Sequence, residues 1–186
     1  MLSDRAIEGR VQSPDGLDIT PFVADNIEPA SVDLRLGDDF KRVFKEYSPK
    51  ERVTVSLDEG NSSAIGHRQI EERPVILEPG ELILATTKEK IHMPDDLTAK
   101  VLGRSSLGRL GVSVHQTAGF IDPGFVGEIT LELSNSGPIP VELTDGLRVC
   151  QIVFSALNKP AKNPYGGAGS QYQNQVGATE SGMNFE

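Results

Sequence analysis

The chain has 186 residues, 27 acidic against 18 basic side chains, and a formal net charge of −9. That surplus excludes a nucleic-acid polymer as the main partner, because a phosphate backbone demands a basic face; a nucleotide, which needs only a few local cations, stays open. The single cysteine, Cys150, excludes an internal disulfide, and no run approaches the roughly 18 apolar residues of a membrane helix.

Taken in chain order, Met1 to Arg5 lacks a cationic segment followed by an apolar one, so no signal peptide is read and the protein is expected in the cytoplasm. Ser3 is placed to cap a short helix, Asp4 favours its first turn, and Gly9 offers a stop. Strand patterns follow. Val53 to Leu57 alternates with period two, and 81–87, 97–102, 111–115, 128–133, 140–143 and 148–155 are further strands. Pro-Gly and Asp-Gly turns separate several of them, as at Pro79-Gly80, Pro123-Gly124 and Asp145-Gly146. A second short helix is expected at Ser105-Ser106, and the polar stretch 58–69 reads as a mobile loop. Cys150 lies in the apolar run 149–154 and reads as a small core residue rather than a nucleophile. From Asn158 the chain is rich in Gly, Gln, Asn and Ser, so this tail is expected to stay flexible until something orders it. The whole predicts a mainly β sandwich or barrel with one or two short helices. One domain spans 1–160, and a flexible lid or tail spans 161–186.

The stretch 103–135 carries the chemistry. Gly103-Arg104-Ser105-Ser106-Leu107-Gly108-Arg109 combines glycines that admit close approach with two guanidiniums and two hydroxyls. A helical turn beginning at the serines would present N–H groups to an anion, although alone the stretch reads equally as a solvated turn. Asp122 before Pro-Gly is ordinary turn chemistry. In 128–133, Ile129, Leu131 and Leu133 share one strand face and Glu128, Thr130 and Glu132 the other. Strand glutamates are usually solvated, so spacing alone does not identify a catalytic carboxylate. One cysteine with the scattered His67, His92 and His115 cannot build a zinc site of one His and two Cys.

The ordered set of blocks resembles the dCTP deaminase/trimeric dUTPase superfamily over nearly the full chain. The blocks are Ala30 to Leu36, Gly103 to Arg109, Gly119 to Ile129, Gly146 to Ile152, and the pair Pro164-Tyr165 with Gln171 to Gln175. Thr130-Leu131-Glu132 matches the deaminase branch, and Thr117-Ala118-Gly119-Phe120 resembles its bifunctional, dUMP-forming members. Two positions depart from the pattern: Gln171 stands where the family has a phosphate-contacting lysine, and Glu28-Pro29 where it has Gln-Pro.

This resemblance implies a dUTPase-like β-clip, a distorted jelly-roll barrel, assembled as a homotrimer with sites between subunits. It implies Glu132 as the deamination acid/base, Ser105 positioning water or the amino group, and Arg109 holding Glu132 and the base edge. Asp122 is implied to fix the sugar hydroxyl and activate water at the α-phosphate. Arg104, Ser106, Leu107, Gly108, Gln151, Tyr165, Gln171 and Gln175 complete the nucleotide shell, with Ala118, Thr130, Leu131 and His115 around the base. Magnesium is implied only on the triphosphate, without direct protein ligands, and no zinc. The expected partners are dCTP, dUTP and dUMP, with dTTP as a candidate inhibitor, and neither a nucleic-acid polymer nor a membrane. The implied activity is zinc-free deamination of dCTP followed by hydrolysis to dUMP and pyrophosphate, supplying dUMP for thymidylate synthesis. The alternatives are a deaminase that releases dUTP and ammonia, a dUTPase alone, or a non-catalytic nucleotide-binding trimer.

Overall fold

The computed structural model describes residues 1–14, 16–45 and 65–182. The chain opens with α1 (Asp4–Val11), capped by Ser3, whose Oγ accepts the Ala6 N–H at 3.4 Å, and pinned by the buried Ile7. The expected stop at Gly9 is corrected. Nothing crowds that position, and the helix runs on until the Arg10 carbonyl is taken by the Leu17 N–H. The strands β1 (Asp18–Thr20), β2 (Ile27–Glu28), β3 (Ser31–Lys45), β4 (Ile65–Gln69), β5 (Val75–Leu77), β6 (Leu82–His92) and β7 (Leu97–Gly103) lead to α2 (Ser105–Gly108). Then come β8 (Val112–Ser113), β9 (Phe120–Ile121), β10 (Val126–Asn135), β11 (Val141–Leu143) and β12 (Arg148–Ala156).

Ten strands form one curled antiparallel sheet in the order β8-β10-β6-β3-β12-β7-β9, with β1 added on β6 and both β2 and β4 on β3. A separate ribbon pairs β5 with β11. The mainly β reading with two short helices therefore holds. The long strand β3 has no counterpart among the sequence expectations. It lies at the centre of the sheet, so Val32, Leu34, Leu36 and even Asp33 are buried, and the alternation that marks a half-buried strand is erased. The loop expected at 58–69 is corrected at its end, since residues 65–69 form β4 against Lys41 to Lys45. The rest of that loop and the strand expected at 53–57 lie outside the described residues.

Leu34, Leu36, Phe40, Ile83, Leu131, Ile152 and Phe154 meet in one core. Each such side chain stabilises the fold by roughly 1.5–3 kcal/mol. Cys150 belongs to it, and burial pushes its thiol pKa up, as suits a packing residue.

Candidate functional site

Most of the expected site residues fall into two open clefts that share no lining residue. The first, about 840 Å³, lies where the β2–β3 corner meets the junction of β7 and α2. Arg104, Ser105, Ser106, Gly108, His115 and Gln151 line it. The single turn of α2 is fastened by the Leu107 side chain, which is buried in the core; Leu107 can therefore offer a ligand only main-chain atoms. The Leu107 and Gly108 N–H groups are already spent on the Arg104 carbonyl, each at 3.1 Å.

Two acids join this cleft that the sequence reading gave no role, Glu28 and Asp33. Asp33 is only 2 % exposed. Its Oδ2 sits 3.1 Å from Arg104 Nη2 and 3.7 Å from Arg148 Nη1. Burial pushes the Asp33 pKa above the usual carboxylate range, and Arg104 pulls against that shift. Arg104 is thus aimed from behind by a buried carboxylate, and its Nη1 also donates to the Arg148 carbonyl.

The second cleft, about 860 Å³, lies on the outer face of β10 under the C-terminal tail. Ala118, Phe120, Asp122, Thr130, Glu132, Tyr165 and Gln175 line it, and Leu84, His67 and Tyr172 extend it. Leu131 points the other way and is wholly buried, so like Leu107 it has only its main chain to offer. Glu132 Oε2 accepts the Gln116 N–H at 2.8 Å, and the other carboxylate oxygen has no partner among the described residues. The Gln116 side chain donates to Ser134 Oγ at 3.0 Å and so holds its loop against β10. Glu128, on the same strand face, is occupied differently: its Oε2 accepts the Gly177 N–H at 2.8 Å and the Thr86 hydroxyl at 3.3 Å. The structure thereby separates two glutamates that spacing left equivalent.

Gly119 passes so close to β7 that a Cβ would lie 2.8 Å from the Val101 carbonyl oxygen and 3.1 Å from His115 Nε2. Only glycine fits that crossing without a shift. Phe120 beside it is 53 % exposed at the cleft wall.

The tail runs over this cleft. The Tyr165 N–H donates to Pro123 O at 2.8 Å and its ring tilts against Phe125 at 6.0 Å. Gly124, at φ +82, makes room; a Cβ there would meet Tyr165 O at 2.8 Å. Gln173, which the sequence reading left without a role, clamps the same turn. Its Nε2 donates to Gly124 O and its Oε1 accepts the Val126 N–H, both at 3.0 Å. Gln175 pairs with Gly127 as an isolated bridge and donates to Glu128 O at 2.6 Å. Arg109 and Gln171 are exposed and line neither cleft, so within one chain Arg109 does not hold Glu132.

Among the described residues the second cleft is lined by Asp122, Glu132 and Glu180 and by no Lys or Arg, whereas Arg104 lines the first together with Glu28 and Asp33. Among the described residues no cluster of His, Cys, Asp and Glu has metal-binding geometry, and no helix is long and apolar enough to cross a membrane.

Comparison with known proteins gives the family and several relatives. The profile of a family described as dCTP deaminase-like matches residues 1–157. A protein of Dictyoglomus turgidum named "dCTP deaminase, dUMP-forming" is 49% identical over 163 residues, covering 86% of this chain and 82% of its own. One of Halobacterium salinarum with the same name is 47% identical over 190 residues, covering 97% and 93%. A protein of Halorubrum lacusprofundi named "dCTP deaminase" is 46% identical over 184 residues, covering 97% and 90%. Among solved structures, 2'-deoxycytidine 5'-triphosphate deaminase from Agrobacterium tumefaciens superposes with a TM-score of 0.60 at 26% identity. That match takes in 82% of this chain and 46% of the other, so this chain spans about half of that longer protein.

Proposed function

The chain belongs to the dCTP deaminase-like family, and from that membership we propose that it converts dCTP to dUMP, ammonia and pyrophosphate in two steps at one site. The observation that carries the first step is Glu132, half-buried in the cleft wall with one carboxylate oxygen held by Gln116 and the other open to the cleft. Glu132 takes a proton from water as the oxygen adds to C4 and gives it to ring N3, then moves the remaining proton of the new C4 hydroxyl to the departing amino group. Water is consumed and ammonia leaves, giving dUTP. One well-placed carboxylate contributes about 10²–10⁴-fold to such a reaction. In the second step water attacks the α-phosphorus and pyrophosphate departs. Asp122, in the same cleft, orients the sugar hydroxyl and that water. The dUMP-forming names of the relatives favour this second step over release of dUTP. Magnesium enters as part of the substrate, carried on the triphosphate, where it offsets phosphate charge.

The division of the site favours a homotrimer. Among the described residues the cleft with the catalytic carboxylate has no basic lining residue except the imidazole of His67, and the cleft lined by Arg104 lacks Glu132 and Asp122. A triphosphate that engages both needs the first cleft of one copy against the second cleft of the next, and a closed ring satisfies every copy. Exposed Arg109 then projects toward the carboxylate across the subunit boundary.

The test is a time course with magnesium and dCTP, following ammonia, nucleotides and pyrophosphate. Ammonia, dUMP and pyrophosphate are expected together from the earliest points. Stable dUTP without pyrophosphate overturns the second step, and no ammonia overturns the first.

A further inference from the structure

Downstream of Gln175, three successive backbone N–H groups of the tail end on side chains of the body. Gly177 donates to Glu128 Oε2 at 2.8 Å, Ala178 to Asp39 Oδ2 at 2.6 Å, and Thr179 to Thr130 Oγ1 at 3.1 Å. The acceptors come from β10 and β3, so the tail is stitched across two strands. Ala178 is buried at the centre of the stitch. Gly177 adopts φ +73, and a Cβ there would lie 2.5 Å from Asp39 Oδ2; the approach therefore requires glycine. Both carboxylates are themselves braced, Asp39 by the Gln69 side chain on β4 and Glu128 by Thr86. Hydrogen bonds from N–H to an ionised carboxylate are roughly twice as strong as neutral ones. The next residue, Glu180, pairs with Lys41 at 3.0 Å, and Glu180 and Ser181 then form part of the wall that faces Glu132.

Asp39, Gly177 and Ala178 line neither cleft and take no part in either chemical step described above. What they control is whether the tail stays down. After deamination the bound dUTP has two fates, attack at its α-phosphorus or escape. Escape requires the tail to lift, and lifting breaks these bonds. The fraction that escapes therefore follows the population of the open tail. We propose that Asp39 and Glu128 are positioning residues that clasp the tail through the Gly177 and Ala178 N–H groups, and that this clasp sets the ratio of dUMP formed to dUTP released. The proposal rests on the two-step reading of the site.

Two variants test it from opposite sides. Gly177→Ala alters only the tail, and Asp39→Asn leaves an acceptor for one of the two donors that Asp39 now serves. For each, the ratio of dUMP to dUTP from dCTP is measured by chromatography. Amide hydrogen exchange of a peptide covering 173–182 is followed by mass spectrometry, and assembly by light scattering. The expected result is unchanged assembly, about tenfold faster exchange in the tail peptide, the scale of one charge-assisted hydrogen bond, and a several-fold larger share of dUTP. Wild-type exchange in both variants overturns the clasp. Faster exchange with a wild-type product ratio overturns its control of the product. A wild type that makes no dUMP brings down the two-step reading, and with it the proposal, and the wild type alone reveals that case.

Discussion

Glu128 and Glu132 stand four positions apart on one face of β10, and their neighbours give them different work. Glu128 is committed to the tail and to Thr86, while Glu132 keeps one oxygen for the cleft. Glu132→Gln keeps the shape and the acceptor for the Gln116 N–H but cannot take up a proton. Ammonia release is expected to fall by about 10²-fold or more, while dCTP binding measured by calorimetry stays within a few-fold. Deamination at the wild-type rate in that variant would remove Glu132 from the mechanism. At this scale the sequence was partly readable. The residues of both clefts could be named through the resemblance, but not their division between two places, since no spacing reports which cleft a loop folds into. Asp33 escaped notice as a functional residue because its role depends on two arginines, one of them brought from β12. Gly119 was marked as a signature, and the reason for it became visible only where the loop crosses the Val101 carbonyl.

Elements were legible in proportion to how one-sided their environment is. β6, β7, β10 and β12 each carry a strand signature within the expected bounds, give or take a few residues. β3 and β4 did not, one because both faces are covered and the other because it is polar. The tail has no periodicity at all, and its path is written in Asp39, Thr130 and Glu128, far away in sequence. The first helix shows the same principle of distant support. Arg10 near its end reaches Asp96 in the turn between β6 and β7, with Nη1 to Oδ2 at 2.8 Å, and this hydrogen bond holds the Asp96 carboxyl below its ordinary value of 3.8. A carboxylate whose folded pKa is depressed contributes stability that is complete above its unfolded pKa and is lost as pH falls through the folded one. The gap in thermal midpoint between wild type and Asp96→Asn is therefore expected to be constant well above pH 3.8 and to close in more acidic buffer. A gap that widens on acidification would contradict the assignment.

At the scale of the whole molecule, the proposed trimer rests on Arg104 lining one cleft and Glu132 and Asp122 the other, so that each chain would be completed by a copy of itself. Light scattering is expected to report three chains. Co-refolding inactive Glu132→Gln with inactive Arg104→Ala is expected to restore deamination, because a mixed ring contains boundaries where both faces are intact. No recovery on mixing would place the complete site within one chain. The same geometry fixes how damage spreads through a population of mixed rings. A subunit faulty on one face silences a single boundary and leaves its other boundary working. A subunit faulty on both faces silences the boundaries on either side of it, including faces that belong to sound neighbours. Lesions combined in one chain thus poison an assembly more deeply than the same lesion carried singly, and the severity of a variant in a mixed population depends on which cleft it strikes.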